Sequence, residues 1–483
     1  MIKGFLSARM PENPKKIRKF EKPNQFVNLL NPFCSLFTMN SFQKILFLAL
    51  PLTAVCNTSK ADTPVWIEAD SAAAIKSRLL SDFRITWPEA VEIFKDKYGI
   101  DEATLEDWAA KKYVEVKTID GERRMHRKSP GNAKRLKPEL NGGWKVRGST
   151  ASPARSAYVD SVLAWYDGKN PNGVAHSVNY TFEIEVPYNE ALEGDTLRVW
   201  MPIPFESARQ TAPKILSSTH PYILSGDKSM HSTVYMTQPV VKDSVTRFSY
   251  TAEFITRGQY FHPDSILANL KPYDVNSAEY KRYTSPEAPH VIEAKELAKS
   301  IVGDETNPFK QSELVYDYII HKYPWAGARE YSTITCIPEY VIREGHGDCG
   351  QVSLLYISLM RSLGVPARWE SGWMLHPREK NLQDWAEVYF EGIGWVPVDV
   401  SFGRYTAATD PRAVTFYSKG MDAHRFAANH GVSGEMYPRK RFVRSETVDA
   451  QLGEVESTRG NLFYPGWSMS MKLNDVHPVE IVK

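Results

Sequence analysis

The sequence predicts an α+β protein: a core in which a helix carrying Cys349 packs on an antiparallel sheet, preceded by a β-sandwich-like domain and a small helical N-terminal region. In His176-Ser-Val-Asn-Tyr-Thr-Phe-Glu-Ile-Glu-Val186 apolar and polar residues alternate, the pattern of a strand with one buried face. Val352, Leu355, Tyr356, Leu359, Met360 and Leu363 recur at the spacing of one helix stripe, which Gly364 and Pro366 bring to a stop. Ala367–Trp373, Trp385–Phe390 and Trp395–Val400 then read as strands, the last two joined through a Glu391-Gly392 turn.

A chain of 483 residues exceeds one ordinary core, so several domains are expected; 42% hydrophobic and 24% charged residues place it among globular proteins. The net charge of +2 gives no sign of a nucleic-acid partner. The 12 Trp and 24 Tyr suit interlocked β layers or a carbohydrate- or peptide-binding groove, core packing being their commoner use.

Residues 1–61 read as an over-extended start plus a signal peptide, with Met39 the better start. Lys44 precedes the apolar run 45–55, which is too short to span a bilayer and suits a signal h-region. Two processing routes stay open: cleavage after Ser59-Lys-Ala61, or lipidation of Cys56, which Val55 precedes poorly. No later apolar run is long enough for a transmembrane helix, so the mature chain is expected to be exported: periplasmic, extracellular or lipid-anchored at the cell surface. Cleavage at Ala61 leaves Cys336 and Cys349, and a disulfide between them would consume the candidate nucleophile. No CxxC pair or His-x-x-x-His spacing marks a metal site, and no cofactor is expected.

Residues 62–150 are read as the helical and hairpin N-terminal region with its linker. Thr86, Pro88 and Gly99 bound one helix, and Asp101 opens another through Trp108. An Asp120-Gly121 turn makes a hairpin, and the basic stretch 127–150 reads as loop. The β-sandwich-like domain takes residues 151–275, with strands at 176–186, 196–201 and 248–254. Helices Pro286–Val302 and Pro308–Lys322 lead into the thiol-bearing domain, 285–420. A β-containing extension, 421–483, offers strands at Glu446–Asp449, Glu454–Ser457 and Trp467–Met471.

The chemistry concentrates in Glu344-Gly-His-Gly-Asp-Cys-Gly-Gln351, at the start of the striped helix. A thiol attacks as thiolate, and the free amides and dipole at a helix N-terminus favour that form. Gly347 and Gly350 allow close backbone approach by a substrate, and the Cys349 amide is placed to help hold an oxyanion. The plain alternative, a buried structural cysteine, sits poorly with a Gly-rich polar turn whose apolar stripe begins only at Val352. Trp373, Trp385 and Trp395 read mostly as core, with one able to wall the groove beside the thiol; Gly350, Trp373 and Trp385 are the candidate substrate-binding residues.

The turn Gly347-Asp-Cys-Gly350 and the hairpin Trp385-Ala-Glu-Val-Tyr-x-x-Gly-x-Gly-Trp-Val-Pro-Val-Asp399 together resemble the transglutaminase-like superfamily, a relative of papain-type enzymes, from about Pro308 to Gly403. Tyr331-Ser-Thr-Ile334 and Gly372-Trp-Met-Leu-His376 resemble its exported, multi-domain branch. The resemblance implies Cys349 as nucleophile, Asp399 as the carboxylate that orients a base, and that base two residues before Trp385. The position holds Gln383, whose carboxamide has no useful basicity. Losing general acid–base help costs roughly 10²–10⁴ in rate. Three groups could stand in: His376, His346 and Asp384, the last alternating to the opposite strand face from Gln383. Glu387 reads as structural. Three functions compete: an exported domain with an impaired thiol site that binds peptide, glycopeptide or cell-wall-like chains; a working cysteine protease, amidase or acyltransferase with a rescued base such as His376; and an extracellular β-rich structural protein unrelated to catalysis, which the length of the hairpin motif disfavours.

Overall fold

The structure is a computed structural model that describes residues 68–137, 175–376, 379–403 and 411–480, with 140 and 164 besides. The stretch expected to be an export signal, including Cys56, lies outside the described residues, as does most of the linker expected before the sandwich.

The N-terminal lobe comprises helices α1 (Glu68–Asp82), α2 (Trp87–Tyr98), α3 (Glu102–Ala110) and α4 (Ser129–Leu136) around a three-stranded sheet of β1 (Ile85–Thr86), β2 (Val116–Ile119) and β3 (Glu122–Met125). Thr86 and Glu89 form a capping box on α2, Gly99 ends it with φ of 66°, and the Asp101 side chain caps α3. Helix α4 occupies part of the basic stretch expected to be loop. Pro130 fits its first turn, and Asn132 fixes it by exchanging hydrogen bonds of 3.0 and 2.8 Å with the backbone of Gly327.

The sandwich has two antiparallel sheets, numbered here in chain order. One runs β17 (Asn461–Leu462), β16 (Glu454–Glu456), β5 (Thr196–Pro202), β8 (Thr233–Pro239), β7 (Tyr222–Leu224). The other runs β18 (Ser468–Val479), β4 (Ala175–Val186), β9 (Thr246–Arg257), β6 (Lys214–Ser218). Strand β4 is alternately buried as its sequence demands, and the last strand, β18, pairs along it from Ala175 to Glu185. The tail is thus an integral strand of the sandwich. Glu446–Asp449 forms no strand, because the Glu446 carboxylate turns back onto the amides of Thr447 and Val448 at 2.7 and 3.0 Å.

After β10 (Gln259–Tyr260) come α5 (Pro263–Asn269), α6 (Ala278–Thr284), α7 (Lys295–Val302), α8 (Pro308–Lys322), α9 (Ile337–Glu344) and α10 (Cys349–Ser362). The helix expected from Pro286 begins only at Lys295. Pro289 interrupts the earlier stretch, and the hydroxyls of Ser358 and Ser362 take up the free amides of Ile292 and Ala294. The central sheet is β13 (Gly394–Val398), β12 (Glu379–Phe390), β11 (Ala367–His376), β15 (Arg425–Asn429), with α11 (Pro411–Tyr417) and β14 (Gly420–Met421) beside it.

Both faces of this sheet are covered. Ala386, Val388 and Phe390 share a core with the helix residues Leu355, Tyr356 and Leu359, whereas Trp373, Leu375 and Phe426 join the sandwich core with Tyr180 and Tyr250. A sheet clamped between two cores holds whatever its strands present in fixed geometry.

Candidate active site

Helix α10 begins on the thiol. Asp348 is its N-cap, accepting from the Gln351 amide while the Gln351 side chain reaches back to the Asp348 amide at 3.2 Å. The Asp348 carboxylate also accepts from Tyr331 at 2.5 Å. Residues 324–326 brace the turn, with hydrogen bonds of 3.2 Å linking Gly347 to Pro324 and Ala326. A Cβ at Gly350 would lie 2.4 Å from the Tyr331 hydroxyl and 2.6 Å from Asp384 Oδ2. The room that glycine leaves is therefore filled by the protein's own side chains.

Even-numbered residues of β12 face α10, so Asp384 meets the thiol: Cys349 Sγ lies 3.2 Å from Asp384 Oδ2. Gln383, one residue earlier, points the other way and donates to both oxygens of Asp399 at 3.1 and 3.0 Å. Asp399 also accepts from the amides of Ser401 and Phe402 and from Arg425 at 3.0 Å, and Arg425 in turn binds Asp422 at 3.0 Å. Of the residues singled out in the sequence, the fold thus brings Gln383 to Asp399 and Asp384 to Cys349.

The histidines are engaged elsewhere. His376 Nε2 lies 3.6 Å from Asp422 and its ring packs on Phe402 and His424. His346 is buried edge-on to Tyr340. The Trp373 indole donates to the Gln451 carbonyl at 3.0 Å inside the sandwich core, and the fully buried Trp385 donates to Glu370 at 2.7 Å. Both indoles are core residues rather than walls of an open groove. Cys336 and Cys349 are both free thiols.

The electrostatics oppose a thiolate. Cys349 keeps partial exposure, yet burial of its sulfur pushes the thiol well above its usual range, and the nearby carboxylates of Asp384 and Asp348 push it further. Burial likewise drives Asp384 well up, aided by Asp449 and Asp348. Burial raises Asp399 too, against the pull of Arg425. Sequence reasoning missed the C-terminal contribution altogether: Gln451 touches Asp384, and Asp449 touches Ser371. Among the described residues no group of three or more His, Cys, Asp or Glu side chains is placed to hold a metal ion, and no helix is long and apolar enough to cross a membrane.

A cysteine thus opens a helix that packs on an antiparallel sheet, and a buried carboxylate directly follows strand β13 of that sheet. Residues 295–400 match the family model of the transglutaminase-like superfamily, and the domain belongs to that superfamily. The chain is similar to an uncharacterized protein of Haemophilus influenzae, 25% identical over 344 residues that span 61% of this chain and 90% of that protein. It is also similar to the uncharacterized protein YebA of Bacillus subtilis, 26% identical over 170 residues, 30% of this chain and 23% of that one. Among solved structures, a candidate cysteine protease from Cytophaga hutchinsonii aligns over 65% of this chain and 93% of its own, at 16% identity and a TM-score of 0.43. The periplasmic domain of TgpA from Pseudomonas aeruginosa aligns over 54% and 97%, at 13% identity and a TM-score of 0.25.

Proposed function

We propose that this is an exported protein whose transglutaminase-like domain carries an impaired thiol site and serves to bind peptide, glycopeptide or cell-wall-like chains rather than to process them. One observation carries the reading: the Cys349 sulfur faces the Asp384 carboxyl at 3.2 Å, while Gln383 is spent on Asp399. Histidine-assisted acyl transfer needs a group that takes the thiol proton and returns it to the leaving amine. Asp384 is an acid held beside another acid, so it discourages the thiolate instead of generating it. The leader at residues 45–55 supports export.

Alkylation of Cys349 by iodoacetamide tests the site. The reading expects labelling at pH 7 no faster than that of free cysteine; rapid labelling that varies little around neutral pH would instead support the working hydrolase with a base swung in from His376. Gln383→His is expected to raise the labelling rate, by about tenfold or more if the new imidazole reaches the thiol. An unchanged rate would show that decay of the base is not what silences the sulfur. Retention of peptidoglycan fragments or extended peptides by the wild-type chain tests the binding half, and absence of retention for both removes it.

A further inference from the structure

The carboxyl that meets the thiol is itself held by a residue more than sixty positions further along the chain. The Gln451 carboxamide nitrogen donates to Asp384 Oδ1 at 2.6 Å and lies 3.0 Å from the carbonyl oxygens of Gly372 and Gln383. It therefore touches β11, β12 and the site carboxyl at once. Gln451 is 8% exposed and braced at its own backbone: its amide donates to Asp449 Oδ1 at 3.3 Å, and its carbonyl accepts from the Trp373 indole at 3.0 Å. Asp449 is secured by the Ser371 hydroxyl at 2.5 Å. With Oδ1 committed to Gln451, the carboxylate plane is fixed and Oδ2 is left to face Cys349 Sγ.

We propose that Gln451 is a positioning residue of the thiol site, acting through Asp384 to hold its carboxyl against Cys349 and so set the reactivity of the sulfur. The proposal rests on the reading of the Cys349–Asp384 pair given above. A buried amide that merely stapled two strands would be satisfied by the carbonyls of Gly372 and Gln383; the shortest of its three contacts goes to Asp384 instead. The groups that share the electrostatics come from each element packed on the pair. Asp348 and Tyr331 flank the helix start, Lys128 of the N-terminal lobe lies across Gly327, and Glu446, Asp449 and Arg444 come from the C-terminal segment.

The test follows Cys349 alkylation by iodoacetamide across pH in the full chain, resolved from the other cysteines by peptide mass spectrometry. Gln451→Met keeps the bulk and removes the donor. It is expected to free Asp384, shift the labelling profile to lower pH and speed labelling at pH 7 by about two- to tenfold, the worth of one hydrogen bond. Asp384→Asn is expected to shift the profile the same way, and adding Gln451→Met to it to change nothing more. If Gln451→Met lowers thermal stability but leaves the profile on that of the wild type, while Asp384→Asn moves it, the positioning role is overturned and the pair stands. If Asp384→Asn leaves the profile unmoved, the pair itself fails and the proposal with it. Should Gln451→Met not fold, Gln451→Glu keeps the shape and swaps the donor for an acid. A shifted profile is then expected, and an unshifted one overturns the role.

Discussion

The two halves of the candidate site solve the problem of buried charge in opposite ways. On the Asp399 side a carboxylate is met by a guanidinium, a carboxamide and two backbone amides, which oppose the upward push of burial. On the Cys349 side a thiol, Asp384 and Asp348 crowd together, and burial with their mutual repulsion pushes Cys349 and Asp384 well above their usual ranges. In a thiol enzyme one imidazole joins such halves into a single relay. Here Gln383 bonds to Asp399 and its strand neighbour Asp384 meets Cys349, so the two halves are served by different residues. On the function proposed above, what remains is a hydrogen-bonded hub at Asp399 and a thiol held back by its acidic neighbours.

The largest effect should come from the paired half. Arg425→Ala strips Asp399 and Asp422 of their shared cation and leaves buried charge uncompensated, a loss of about 3–5 kcal/mol that urea unfolding would read. A loss under about 1 kcal/mol would mean that Asp399 is held neutral and that the two halves are alike. Next comes the thiol half. Gly350→Ala would drive a methyl group into Tyr331 and Asp384, costing about 1–3 kcal/mol and displacing the carboxyl from the sulfur. It should therefore change Cys349 labelling as well as stability, and a variant changed in neither would show the space to be slack.

The smallest effect is a slope with pH. Burial pushes Glu446 up to about 8 and Asp449 up to about 6, from ordinary values of 4.5 and 3.8. The folded chain holds these protons more tightly than the unfolded one. The stability they contribute is thus complete at pH values below 3.8 and is lost as pH rises through about 6 and then about 8. Thermal midpoints should fall across that window, and Glu446→Gln should flatten its upper part. A flat wild-type profile would indicate that the C-terminal segment admits water.

Much of this was written in local pattern. The stripe from Val352 to Leu363 placed the helix, the Gly-rich turn placed the thiol on its first residue, and alternation put Gln383 and Asp384 on opposite faces. Which of those faces meets the helix was not legible, because β12 is buried on both sides near the site and each face mixes polar with apolar residues, Asp384 beside Ala386 on one and Gln383 beside Trp385 on the other. Gln451 left no signal either. A lone polar residue in an irregular segment has no period, and its partners lie 67 to 79 positions away. Helix α4 escaped notice because its composition is that of a basic loop and its docking onto Gly327 makes it fold.

The pairing of β18 with β4 sets an order of events. Asn474 and Asn179, hydrogen-bonded across that seam, are 295 positions apart, so the sandwich cannot close until the whole thiol-bearing domain lies between its edges. Loops of that length cost little more to close than shorter ones, but they close slowly. Until then β4 offers a bare edge to any passing strand. The β18–β4 seam is thus a pairing that no local segment of the chain can complete by itself.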